Sequence, residues 1–228
     1  SDLFDVIVAG NGQEALDLLR DKEVDLIVSD VMMPVMDGVK MCKHLKQNLR
    51  TCHIPVYLLS AKADVKYQLE GLKVGADDYL PKPFSMSVLK AKIQNTLRTR
   101  RRAFDRYSNS TDVEPEKIAM NSLDEDLLRK AIEVVERNMD NVEFSTEQFA
   151  REMNMSRSNL HLKLKAITGK SAIDFIHKIR FGRACQLLKE GKYSVSEISY
   201  MVGYNTPSYF AARFKKYMGC LPTEYIKK

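Results

Sequence analysis

Three polar residues stand at the ends of short apolar runs, and their types suit the handling of a phosphoryl group. Asp30 follows Leu26-Ile27-Val28, Ser60 closes the run PVYLLS, and Lys82 comes two residues after DYL. A carboxylate can act as a nucleophile toward phosphorus. An ammonium pairs with phosphoryl oxygens as a point charge, and a hydroxyl donates a hydrogen bond to them. Each residue alone has an ordinary role, since a loop aspartate caps or turns the chain and a loop lysine sits in water. The conjunction at three successive run ends is what points to chemistry, with Asp30 as the acceptor.

The elements around them form a regular alternation. Asp5 to Ala9, Leu26 to Ser29, Pro55 to Ser60 and Asp78 to Leu80 read as strands. Between them, Gln13 to Arg20, Gly38 to Asn48 and about Asp64 to Val74 carry apolar residues at helical spacing, and a long helix runs from about Ser85 past Arg100. Strands alternating with helices imply βαβ units and a doubly wound parallel sheet. The run before Asp30 reads as a strand buried on both faces. In such sheets ligands and chemistry gather at the carboxyl ends of the strands, where Asp30, Ser60 and Lys82 all fall.

Beyond Leu97 the helix turns basic in RTRRRAF and loses its pattern in DRYSNSTDVEPEK, a connector by its Ser, Asn and Asp ahead of Pro115. Leu89, Ile93, Leu97 and Phe104 form a packing or dimer surface, and the arginines are either a solvated helix end or phosphate contacts. From Ser122 onward the chain is all helical. Leu123–Met139 is amphipathic, with Leu127, Leu128, Ile132 and Val135 inward. Residues 145–155 and then 156–167 make a short helix, a tight turn and a second helix, the helix-turn-helix arrangement. It recurs from Val195 to Tyr204 and from Asn205 to Met218, after a long helix Ala172–Glu190. Leu160, Leu164 and Ile167 form the core stripe of the first unit's second helix; Ser158, His161, Leu162 and Lys165 lie off it. In the second unit, Thr206 is placed to cap and Pro207 to start the helix.

Charge agrees with two different halves. The chain of 228 residues has net charge +6, yet residues 1–100 carry 14 Lys and Arg against 13 Asp and Glu. Residues 143–228 carry 15 against 7, so the excess points to a polyanion partner for the last third. Cys42, Cys52, Cys185 and Cys220 lack metal-like spacing, which suggests reduced thiols in a cytoplasmic setting. No apolar run approaches the roughly 18 residues of a membrane helix, and SDLFDVIVAG does not read as a signal peptide.

DLIVSDVMMPVMDG, VYLLSAK and GADDYLPKPF resemble the receiver domains of two-component response regulators, over about residues 1–100. The resemblance implies that Asp30 is the phosphoacceptor, Ser60 the switch hydroxyl and Lys82 the phosphate-contacting lysine. It further implies that Tyr79 is the switch aromatic, that the Met32 carbonyl is a ligand of Mg²⁺, and that Pro83 follows a bond that is often cis. One departure matters. In receivers an acidic pair at the end of the first strand supplies the other metal carboxylates, and that strand and its helix, roughly 30 residues, have no counterpart here. Mg²⁺ anchors its octahedral oxygen shell on one or two carboxylates. With Asp30 alone, the expectation is a receiver incomplete at its N-terminus through a chain boundary, with weak or absent Mg²⁺ binding and inefficient phosphorylation.

The second half resembles the AraC/XylS-type DNA-binding domain, most specifically in GYNTPSYFAARFKKYMGCLPTEY, over about residues 122–228. This implies two recognition helices in successive major grooves about 34 Å apart. Arg157, Ser158, His161 and Lys165 are the base-reading candidates of the first. Thr206, Ser208, Tyr209, Ala212 and Arg213 are those of the second, with Lys215 and Lys216 on phosphates. Leu162 and Ala212 stand where family members often carry a base-reading arginine, and an apolar contact with a thymine methyl is one substitute.

The fold expected is thus an α/β doubly wound parallel sheet of receiver type lacking its first strand and helix, followed by an all-α domain with two helix-turn-helix units. The divisions fall at 1–106, 107–121 and 122–228. The function expected is a sequence-specific DNA-binding transcription regulator of a phosphorelay, controlled at Asp30 and acting as a homodimer on double-stranded DNA in the cytoplasm. Its phosphodonor is a histidine kinase, in the same native chain if the protein is a hybrid regulator, and this segment makes no membrane contact. The rival is a receiver-like half that serves only as a phosphorylation-independent dimerisation module. No enzyme activity is expected, since an aspartyl-phosphate hydrolase would want a second acid two residues after the nucleophile, where Met32 stands.

Overall fold

The structure is a computed structural model and describes residues 3–61, 73–110, 113–119 and 121–226. It divides into two compact units, Ser1–Arg101 and Arg102–Lys228.

The first unit contains α1 (Gly12–Leu18), β1 (Ile27–Asp30), α2 (Gly38–Gln47), β2 (Val56–Ser60) and β3 (Asp78–Pro81). The helix α3 (Met86–Asn109) begins here. Its strands form one parallel sheet in the order β1-β2-β3. β2 is central, and its alternating side chains feed two layers. Val56 and Leu58 pack with Met41, Cys42 and Leu45 of α2 on one face. Tyr57 packs with Leu80 and with Leu89 of α3 on the other. Helices cover both faces, as the alternation requires. Lys46 of α2 ties the layers, its ammonium reaching the carbonyl of Ile54 at 2.9 Å and Asp77 at 2.7 Å. The same Asp77 oxygen accepts from the Val56 amide at 2.8 Å, at the mouth of β2.

Several sequence expectations change. Residues 5–9 form no strand, and Val6, Ile7 and Val8 are 76, 50 and 79% exposed. A strand exists through its ladder, and none of the described residues offers this segment backbone partners. For the same reason β1 is an edge, and Val28 is 38% exposed rather than buried. The expected helix near 64–74 falls largely outside the described residues. α3 continues through Asp105 to Asn109, beyond the point where its pattern fades.

The second unit takes in the end of α3, then α4 (Pro115–Ile118) and α5 (Ser122–Arg137). The first helix-turn-helix is α6 (Thr146–Glu152) and α7 (Arg157–Thr168). α8 (Ala172–Glu190) leads to the second, α9 (Val195–Met201) and α10 (Pro207–Met218), and α11 (Pro222–Tyr225) closes the chain. The two entry helices begin alike, with capping boxes Ser145/Gln148 and Ser194/Glu197 that satisfy otherwise orphaned amides. In the first turn Asn154 adopts φ 55°, a conformation asparagine tolerates better than most side chains. On α5, Leu127, Leu128 and Val135 are buried as expected. Ile132 is only partly so, and Ala131 and Val134 take its place.

α8 is the axis of this unit, burying Phe175, Ile176, Phe181, Ala184 and Leu188. Its Arg180 is 5% exposed and joins the turn of the second unit to the loop ahead of the first, donating to the carbonyls of Gly203 (3.0 Å) and Asn141 (2.7 Å). Gly203 has φ 76°, and a Cβ there would sit 2.6 Å from the guanidinium, so the approach needs glycine. Tyr107, in the segment read as connector, is buried at 2% exposure, with the Lys178 ammonium 4.7 Å above its ring.

Candidate functional site

At the carboxyl edge of the sheet, the register sets Asp30 beside Leu59 and Ser60 beside Pro81. The loop after β1 folds back on itself, with the Val31 amide donating to Leu59 (2.8 Å) and the Gly38 amide to Val31 (2.9 Å). Gly38 is required by that closure, because a Cβ would lie 2.1 Å from the Asp30 carbonyl. Asp37 caps α2 through the Lys40 amide at 2.7 Å. These constraints leave the Asp30 carboxylate about one third exposed, accepting from the Met32 amide at 3.2 Å and paired with the Lys82 ammonium.

Lys82 is aimed by its own backbone, whose amide donates to the Ser60 carbonyl at 2.6 Å, and its bond to Pro83 is cis. The Ser60 side chain lies beneath at 6% exposure. The carboxylate, hydroxyl and ammonium singled out in the sequence thus come from the ends of three neighbouring strands. A phosphoryl group arriving at Asp30 would meet a fixed cation already in place. The Tyr79 hydroxyl is buried with no hydrogen-bond partner among the described residues. Such a group costs about 1–3 kcal/mol.

The donor set does not fit Mg²⁺. Among the described residues no group of three His, Cys, Asp or Glu converges. The described residues at this edge offer one carboxylate, itself paired with Lys82, and the Met32 carbonyl.

In the second unit, α7 buries Leu160, Leu164 and Ile167 and exposes Arg157, Ser158, His161 and Lys165, as its periodicity predicts. Leu162 lies on the same outer face at 37% exposure. Arg157 is paired across the turn with Glu147 at 2.8 Å. On α10, Phe210 and Phe214 are buried, while Thr206, Ser208, Tyr209, Ala212, Lys215 and Lys216 are exposed. Arg213 is half-buried and held within the helix, its Nε donating to the Tyr209 hydroxyl at 3.0 Å with the guanidinium 5.3 Å from the ring centre. Thr206 sits at the N-cap of α10 without capping it; its hydroxyl donates to Asn205 at 2.9 Å instead.

Behind these faces lie residues that the sequence reading did not single out. His177 of α8 is buried against the Tyr204 hydroxyl at 2.7 Å, and its pKa is pushed down to about 4 by burial and by Arg213 and Arg180. Asp174 binds Ser171 (2.6 Å) and Tyr217. Lys163 of α7 is paired with Asp124 of α5 at 2.6 Å, both side chains 1% exposed. Lys163 falls on the stripe of Leu160 and Ile167, and that spacing was the available signal.

A carboxylate paired with its cation at the edge of a doubly wound sheet, followed by twin helix-turn-helix units, is the architecture of a signal-receiving unit joined to a nucleic-acid-binding one. Known proteins agree. Residues 1–94 match the response regulator receiver domain, and residues 149–228 match a helix-turn-helix domain family. The chain is 40% identical over 222 residues to histidine kinase P4 of Formosa agariphila, covering 97% of this chain and 16% of that protein. It is 42% identical over 95 residues to the alkaline phosphatase synthesis transcriptional regulatory protein PhoP of Bacillus subtilis, covering 42% of this chain and 39% of PhoP. Among solved structures it is similar to the C-terminal domain of AraT, a response regulator from Geobacillus stearothermophilus (32% identity, 44% of this chain, 84% of that one, TM-score 0.41). The chain therefore spans about a sixth of P4 and two fifths of PhoP. It belongs to the two-component response regulators, with a receiver domain followed by an AraC-type helix-turn-helix domain.

Proposed function

We propose that the chain is a transcription regulator that reads DNA through α7 and α10 and is controlled by phosphorylation of Asp30. Residues 1–106 serve as receiver, 107–121 as connector and 122–228 as the DNA-binding part. The observation that carries this reading is the matching two-sided character of α7 and α10. Each buries an apolar stripe and presents polar side chains near its N-terminus, Arg157 and Ser158 on α7 and Ser208 and Tyr209 on α10, the end that meets base edges in helix-turn-helix proteins. Arg157, Ser158, His161 and Lys165 read one groove; Thr206, Ser208, Tyr209, Ala212 and Arg213 read the next; Lys215 and Lys216 hold phosphates.

At Asp30 a carboxylate oxygen attacks phosphorus, the P–N bond of the donor's phosphohistidine breaks with its pair going to the imidazole nitrogen, and an acyl phosphate forms. Lys82 neutralises the phosphoryl oxygens, Ser60 donates to one of them, and Tyr79 adjusts to the filled site. Receiver domains generally use Mg²⁺ for this step, and the donor set here falls short of that ion. Labelling of this chain alone is therefore slow. The phosphodonor is a histidine kinase, and two protomers act together on DNA in the cytoplasm.

The test is selection of binding sites from a randomised duplex pool, then affinity measurement for the chain and for Arg157→Ala/Arg213→Ala. Loss of sequence-selective binding in the double variant is expected, and unchanged affinity at moderate salt would remove the recognition-helix assignment. A second reading is a receiver-like half that only pairs protomers. Prolonged incubation with acetyl phosphate, reductive trapping and peptide mapping separate the two. Slow label at Asp30, absent in Asp30→Asn, supports the switch, and no label at all supports the pairing module.

A further inference from the structure

We propose that Asn121, Asp124 and Lys163 form a buried positioning relay that fixes the roll of α7 and thereby its discrimination among DNA sequences. The inference rests on the reading that α7 faces DNA. Lys163 stands two residues from both His161 and Lys165, about 200° around the helix, on the side opposite the reading face. It is 2% exposed, and its ammonium lies 2.6 Å from the Asp124 carboxylate, itself fully buried in the first turn of α5. The other Asp124 oxygen accepts from the Asn121 side-chain amide at 2.9 Å, and the Asp124 amide donates back to the Asn121 oxygen at 2.9 Å. Asn121 is the N-cap of α5 and directly follows the segment that holds α4.

Direction separates the ion pair from its apolar neighbours. Apolar burial is non-directional, so Leu160, Leu164 and Ile167 would accept a modest rotation of α7 against their neighbours. A dry ion pair does not, because rotation leaves two desolvated charges apart. Apolar residues of similar volume are often as stable as a buried pair, so the contribution particular to Lys163 and Asp124 is orientation. The relay also makes α7 answerable to the chain before α5. A displacement there reaches the reading face through one cap and one ion pair.

The experiment compares a duplex selected by the wild-type chain from a randomised pool with a scrambled duplex of equal composition, by fluorescence anisotropy, alongside thermal melting. Asp124→Asn takes the opposing charge away from a buried ammonium and should lower the melting temperature by roughly 10 °C or more. The double variant Asp124→Leu/Lys163→Met should melt near the wild type and bind the scrambled duplex equally. Its preference for the selected duplex should fall about tenfold, and Lys163→Arg should retain most of it. A double variant with full preference overturns the relay. Should that variant not fold, Asn121→Ala serves: a two- to fivefold loss of preference supports the relay, and no loss overturns it. A wild-type chain that enriches no sequence removes the DNA reading and the relay with it.

Discussion

Individual side chains in this protein hold positions that set measurable costs. Val35 is a β-branched residue at φ 63°, 85% exposed in the loop after Asp30. Left-handed backbone at such a residue costs on the order of 1–3 kcal/mol. Val35→Gly should raise stability by about 1 kcal/mol in urea melts, because the strain relieved exceeds the entropy glycine adds. His177 predicts a pH dependence. Its ordinary pKa of 6.5 falls to about 4 in the fold, since burial comes first and Arg213 and Arg180 add to it. The native state therefore binds fewer protons than the unfolded chain. Stability from this residue is complete above pH 6.5 and is lost as pH falls toward 4, by on the order of 3 kcal/mol. Asp174, held below the usual carboxylate range by Ser171 and Tyr217 against its burial, acts in the same direction. Melting temperature followed from pH 7 to pH 4 should show a shallower decline in His177→Gln than in the wild type.

At the scale of elements, the two helix-turn-helix units use different devices for similar ends. Arg157 is engaged by Glu147, a neighbouring helix's carboxylate; Arg213 is engaged by Tyr209 within its own helix. In the first arrangement, if Arg157 reads DNA as proposed, Glu147 must yield beforehand. Glu147→Gln should strengthen DNA affinity several-fold at low salt, and the gain should shrink as salt rises. The second organises the arginine against a ring, so Tyr209→Leu should weaken binding even though Arg213 remains. Lys215 and Lys216 lie near the C-terminal end of α10 and should act on phosphates. Replacing both with Gln should flatten the log–log salt slope by about 2 and leave sequence preference intact.

The chain combines a receiver domain in which Lys82 is paired with Asp30 and a helix-turn-helix unit built around one buried helix. α8 carries Arg180, whose hydrogen bonds to Gly203 and Asn141 hold the turn of the second helix-turn-helix unit and the loop that leads into the first. Arg180→Met should therefore loosen them together. Protection of amides in α6 and in α9 against hydrogen exchange should fall in parallel, not in one unit alone. Phosphorylation at Asp30 would exchange the Lys82–Asp30 pair for a pair between Lys82 and the phosphoryl group. Lys82→Ala should consequently abolish any difference in DNA affinity between labelled and unlabelled chain while leaving basal affinity unchanged.

Much of this protein was legible in its sequence. Apolar runs ending at Asp30, Ser60 and Lys82 determined three parallel strands and their shared edge, because strand burial and strand ends are local properties of the chain. The stripes of α7 and α10, with their caps and turns, determined which side chains face outward, because helical periodicity is local too. Tertiary structure decided what periodicity could not. Residues 5–9 have the composition of a strand, yet a strand forms only where a ladder partner lies beside it. Lys163, Arg180 and His177 are polar by type but buried, and only the helices converging on them show that each has a partner. The metal question was of the same kind: one carboxylate can be read from the sequence, but its being paired with Lys82 follows from how three strand ends meet.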